Sequence, residues 1–151
     1  MPLMPVSVVE AAAVPPELDY VEFTGQVDCT ATTEATADTV VTGNPIVFDG
    51  STVCLVEFYV ETYTLSLVTI DGFLSLYDGA SSIGRMFQGR TIVAAAGATA
   101  IYAVRRLTPA AGSHTYSARG FVSSAGTFSV FGGAGGNGNR MPGFLRVSRA
   151  T

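Results

Sequence analysis

The sequence predicts an all-β fold, a two-sheet antiparallel sandwich or jelly roll that carries a short N-terminal arm. Turn signals recur along the chain, Asn44-Pro45, Asp49-Gly50, Asp71-Gly72 and Asp78-Gly79 among them, and the runs between them are short and rich in Val, Thr, Phe and Tyr. Only 13% of the residues are charged, and 17 of them are glycine, which leaves little material for an exposed helix. Nothing repeats at a fixed period, which argues against a propeller or solenoid. Together these point to roughly eight to ten short strands in one sandwich. A chain of 151 residues suits one domain and can bury about two thirds of its unfolded surface, enough for a core without staples.

Residues 1–19 read differently from the rest. Ser7 and Glu10 have capping-box spacing, Ala11, Ala12 and Ala13 are helix formers, and Pro15-Pro16 is a stop, so the segment can form a turn or two of helix. Alone such a helix is marginal. The alternatives are a frayed terminus, the default for an unanchored end, and an arm that gains order by packing on another surface; Leu3, Met4, Val6, Val8, Val9 and Val14, more apolar than a disordered tail, favour the arm.

The folded domain is expected over 20–151. The strand pattern begins from Leu18, and Tyr20, Glu22 and Thr24 alternate with Val21, Phe23 and Gly25. The threonine-rich passage 30–42 has room for a loop and one strand, and turns bracket 46–48. The strongest strand lies in 52–63: Cys54, Val56, Phe58 and Val60 fall on one face and Val53, Leu55, Glu57 and Tyr59 on the other. With both faces largely apolar, it belongs in the middle of a sheet. Short strands are then expected at 65–70, 73–77, 82–88, 91–95 and 100–107. In 115–122 Tyr116, Ala118, Gly120 and Val122 alternate with Thr115, Ser117, Arg119 and Phe121. A turn follows at 123–126, then a strand at 127–131. The run 132–139 holds five glycines in eight residues, too much backbone entropy for regular structure. A strand at 144–148 closes the chain.

Charge is segregated along the sequence. All 12 acidic residues lie in 1–78 and all 8 arginines in 79–151, so a net charge of −4 conceals halves of −12 and +8, and there is no lysine. A jelly roll interleaves strands from both halves, so the signs should mix on each face and cancel. The alternative is a subunit contact in which acidic and arginine-bearing surfaces meet. An acidic chain with scattered arginines is not expected to bind nucleic acid. Neither a signal peptide nor a membrane span is expected: the N-terminus lacks a cationic region, and the longest apolar run, 91–104, has 14 residues. Cys29 and Cys54 are expected as buried free thiols of a protein made in a cytoplasm.

Candidate chemistry is thin. Residues 133–138 fit G-x-G-x-x-G, but Met141-Pro142 and the end of the chain deny the following helix and acidic residue that a dinucleotide site needs. His114 is the only histidine, and no motif pairs it with a serine and a carboxylate; it reads as a turn residue that hydrogen-bonds locally. One histidine and two separated cysteines cannot make a zinc set. Neither an enzyme nor a cofactor is expected. Tyr59, Tyr63, Tyr77, Tyr102 and Phe121 could stack on a glycan, although aromatics in strands more often fill cores.

One stretch carries more than local structure. Gly112-Ser113-His114-Thr115-Tyr116, then the glycine-rich run, then Pro142-Gly143-Phe144-Leu145-Arg146-Val147 just before the terminus resemble, in that order, a group of tailed-phage virion proteins. In those a Gly-Ser-His-Thr-Tyr turn and strand precede a glycine-rich loop and a closing Pro-x-Phe-x-Arg-Val strand. The likeness reaches back through 107–112, 47–52 and 31–42, and so covers roughly 20–150. Its motifs are turns and core positions, which speak to fold more than to activity. The resemblance implies a trimeric jelly roll, similar in shape to the tumour-necrosis-factor-like trimers, on the surface of a virion assembled in the host cytoplasm. Such a homotrimer would decorate the head and stabilise the shell of the major capsid protein. Leu3, Met4, Val6, Val8, Val9 and Val14 would contact the shell, and Phe144, Leu145 and Val147 would meet at the threefold axis. The alternative it leaves open is a tail-fibre or baseplate tip whose loops, 132–139 included, bind a host surface glycan.

Overall fold

The structure is a computed structural model that describes residues 16–94 and 100–150. The expected arm residues Leu3, Met4, Val6, Val8, Val9 and Val14 lie outside the described residues. Among the described residues the fold is all-β, with thirteen strands and a single 3-10 turn at Glu34–Thr36. In chain order the strands are β1 Glu17–Phe23, β2 Gly25–Cys29, β3 Asp38–Thr42, β4 Ile46–Asp49, β5 Cys54–Val60, β6 Thr62–Leu65, β7 Gly72–Asp78, β8 Ser81–Gly89, β9 Ile101–Leu107, β10 Ala111–His114, β11 Tyr116–Val122, β12 Phe128–Gly132 and β13 Gly143–Arg149.

Two four-stranded antiparallel sheets make the sandwich, one in the order β1-β13-β5-β9 and the other β3-β11-β7-β8. A three-stranded sheet, β2-β12-β6, and the pair β10-β4 complete it. The count exceeds the expected eight to ten because long strands break at bends. Residues 52–63 divide at Glu61 into β5 and β6, and the first strand divides at Thr24, where Gly25 takes a φ of +86° that a side chain would disfavour. The first strand begins at Glu17, which pairs with Ser148.

β5 occupies the central position that its doubly apolar pattern predicts, flanked by β13 and β9. Cys54, Val56, Phe58 and Val60 are completely buried and join Leu145 and Val147 of β13, Leu74 and Leu76 of β7, and Tyr116, Ala118 and Val122 of β11 in one core. At Gly120 the two sides approach so closely that a Cβ would stand 2.5 Å from the Cys29 sulfur. Cys29 and Cys54 are free and buried.

Among the described residues two expected strands are absent. Residues 66–70 form a loop whose Ser66 exchanges hydrogen bonds with Thr127, its backbone N–H to Thr127 O and its hydroxyl from Thr127 N–H. Leu67 and Val68 in that loop have no neighbouring strand and stay exposed, and only Ile70 reaches the core. Residues 91–94 likewise leave the sheet, with Ile92 and Val93 exposed.

Candidate interaction surface

Side chains alternate across a strand, so the registers of β1, β13, β5 and β9 place one set of residues on the face turned away from the core. Three rows cross it: Glu22, Phe144, Tyr59 and Tyr102; then Tyr20, Arg146, Glu57 and Val104; then Glu17, Ser148, Leu55 and Arg106. Tyr102 is 63% exposed, Val104 49% and Tyr20 41%. The rings are neighbours. Phe144 lies with its centroid 5.4 Å from Tyr20 and 5.6 Å from Tyr59.

At the centre of this face sits a carboxylate. Glu57 is only 6% exposed and receives both prongs of a guanidinium, Arg146 Nε donating to Oε2 at 2.7 Å and Nη2 to Oε1 at 2.9 Å. The Tyr102 hydroxyl donates to Oε1 at 2.6 Å. The Arg146 hydrogen bonds, helped by that of Tyr102, hold the Glu57 carboxyl below its ordinary range against the opposing effect of burial. The same bond raises the Tyr102 phenol. Burial, with the nearby Glu22 carboxylate, raises that of Tyr20. The result is a hydrogen-bonded polar knot inside a patch of aromatic side chains.

The trimer contact expected from the sequence is corrected in part by this geometry. Leu145 and Val147 point inward and are spent on the chain's own core, with exposures of 0% and 1%, so they cannot meet a second chain. Phe144, one residue out of phase, is the member of that set on the outward face. Of the five aromatics considered for stacking, Tyr63, Tyr77 and Phe121 are buried, Tyr59 is half-buried in the patch, and Tyr102 is open.

A second feature lies where β7 ends and β10 begins to turn into β11. His114 Nδ1 and Asp78 Oδ2 are 2.5 Å apart, and His114 Nε2 is 3.0 Å from Ala110 O. The Asp78 hydrogen bond raises the imidazole pKa, more than burial lowers it. The pair borders a cleft of about 350 Å³ that Arg105, Leu107, Pro109 and Ile83 also line. The sequence marks His114 as a locally bonded turn residue; the bond to Ala110 fits that reading, while Asp78 is a partner 36 residues away. Among the described residues no three of His, Cys, Asp and Glu come together at metal-ligand spacing.

Of the glycine-rich run 132–139, Gly132 ends β12 and residues 133–139 are irregular, with Gly135, Gly136 and Gly138 at positive φ. It is tied back by Gly133 N–H to Met141 O and Gly135 N–H to Arg140 O. Comparison with models of known protein families gives no match for the chain, and none is found among curated proteins.

Proposed function

We propose that this chain is a structural protein of a tailed-phage virion, a jelly-roll homotrimer that decorates the head and braces the shell of the major capsid protein. The observation that carries the reading is the outward face of the β1-β13-β5-β9 sheet. A sheet face with exposed Tyr20, Tyr102 and Val104 around a fully bonded, buried Glu57 is costly to leave in water and suited to burial against another chain. Strand order supports the jelly roll. Each four-stranded sheet alternates strands from the first and second halves of the chain, the pattern that arises when one long antiparallel hairpin is rolled into two sheets. Of the motifs that carry the phage resemblance, Gly112 to His114 lie in β10, Tyr116 opens β11 and Phe144 to Val147 lie in β13.

The work of such a protein is mechanical. Bound across joints between capsomers, it stabilises the expanded shell by mass action, by roughly 3 kcal/mol per site at a hundredfold excess over its dissociation constant. The apolar arm, residues 1–16, would make the shell contact. The test is co-sedimentation of purified protein with expanded heads of its phage. Binding by the full chain and loss of binding on deleting residues 1–16, with assembly unchanged, is the expected result, and an intact protein that does not pellet with heads would refute the decoration role. A second reading, a tail-tip protein that binds a host surface glycan, is favoured by the cleft beside His114 and Arg105; it requires the protein to adsorb to host cells and compete with infection.

A further inference from the structure

The alternation of strands from the two halves has a consequence for charge. In the sheet interiors the signs meet and cancel, as Glu57 of β5 and Arg146 of β13 do. At the rims they cannot, because an alternating order of four strands begins with one half and ends with the other. β1 and β3 are the rim strands on one side and lie against each other; β8 and β9 are the rim strands on the opposite side and do the same.

The first rim carries Glu17, Asp19 and Glu22 on β1 and Asp38 on β3, with Asp28 on the adjoining β2, and no cation on any of these strands. Asp19 is bonded to Asn44, and Asp38 to the Thr30 and Ala31 N–H groups, so neutral donors satisfy them without cancelling their charge. The opposite rim carries Arg85 on β8 and Arg105 and Arg106 on β9, with no acid on either strand. Glu34, bonded to Ser75 and Ser82, faces Arg85, and Arg105, which lines the cleft that Asp78 borders, and Arg106 form no ion pair among the described residues. The three ion pairs among the described residues, Arg90–Asp71, His114–Asp78 and Arg146–Glu57, involve none of these rim groups. Charges on edge strands also discourage stray pairing, but that purpose needs no separation of sign.

We infer that the two rims are the two halves of one subunit contact: the β1–β3 rim of one copy docks on the β8–β9 rim of the next, head to tail around the ring. This rests on the homotrimer reading and deepens it. A closed ring of three is built from a heterologous interface, two different patches of the same chain, and opposite rims of opposite sign supply two such patches. A twofold dimer made through either rim would bring like charges together. Arg106 and Glu17 stand at the two ends of the same row across the sheet, so copies side by side bring Glu17 of one toward Arg106 of its neighbour and run their aromatic faces into one band.

Two charge-reversed proteins test this, one with Arg105→Glu and Arg106→Glu, the other with Glu17→Arg and Glu22→Arg. Both sets are exposed positions, and far-UV circular dichroism with thermal melts reports whether each protein is folded. Sedimentation velocity at micromolar concentration should show the wild type assembled, each variant weakened by at least about tenfold, and an equimolar mixture recovering 1:1 complexes that cannot close into a threefold ring. Retention of wild-type assembly by both variants overturns the rim contact and leaves the homotrimer standing. So does loss in both with no recovery on mixing. A wild-type protein that sediments as a single chain overturns the homotrimer and the rim contact together.

Discussion

Replacing Arg146 with methionine keeps most of the side chain's volume and removes both hydrogen bonds to Glu57, leaving a carboxylate that is 6% exposed with the Tyr102 hydroxyl as its one remaining donor. Breaking a fully buried pair from one side costs about 3–5 kcal/mol, and an exposed pair is worth about 0–1 kcal/mol. Arg146 keeps 40% of its side chain in solvent while Glu57 keeps 7%, so the loss falls between these limits, about 2 kcal/mol. For a domain of this size that is a drop of roughly 4–8 °C in Tm. The assay is thermal and urea unfolding of wild type, Arg146→Met and the double variant Glu57→Gln with Arg146→Met, all at one protein concentration because assembly would add to stability. The double variant should recover about 1 kcal/mol, since it no longer buries an unpaired charge. Glu57 titrates below its ordinary 4.5 in the folded chain, so the pair's contribution is complete above pH 4.5 and lost as pH falls through the lowered value. The gap between wild type and Arg146→Met should therefore close in acid. A loss under about 0.5 kcal/mol at pH 7, or a double variant no more stable than the single, would refute the idea of a buried, structurally committed carboxylate.

Three further outcomes are expected. Gly120→Ala would place a Cβ 2.5 Å from the Cys29 sulfur and should cost about 1–3 kcal/mol by overpacking; urea unfolding showing no loss would contradict the close packing there. Tyr116→Phe removes a buried hydroxyl that has no hydrogen-bond partner, so it should leave the unfolding midpoint unchanged or raise it, and a clear fall would reveal an unrecognised bond. The imidazole of His114 titrates above its ordinary 6.5 because of Asp78, so its stabilisation is complete below pH 6.5 and disappears as pH rises through the raised value. The stability difference between wild type and His114→Gln should thus shrink from mildly acidic to alkaline pH, and a difference that grows would contradict the pairing.

Much of this architecture is legible in the sequence because burial leaves a period. β5 declares itself by apolar residues on both faces and the loop before β13 by its glycines, whereas β11 alternates in sequence yet is buried on both faces, Ser117 and Phe121 included. The loop at 66–70 misleads because Leu67, Val68, Thr69 and Ile70 have the composition of a strand; what it lacks is a partner, and pairing is a property of the whole sheet. The same limit explains Phe144, Leu145 and Val147. Their alternation is plain, but which parity faces inward depends on the pairing of Leu145 with Phe58. Arg146 shares the face of Phe144, and that arginine was the available sign that the Phe144 face is the outward one. Glu57 stands out as the one charge in an apolar run, yet its partner lies 89 residues away. The separation of acidic and basic halves is visible in the sequence, whereas its concentration on opposite rims follows only once the strand order is known.

The proposed role on the phage head is tested most directly by immunogold labelling of intact virions with an antibody raised against this chain. Label spaced regularly over the head is the expected result, and label confined to the tail tip, or virions that take none, would contradict it.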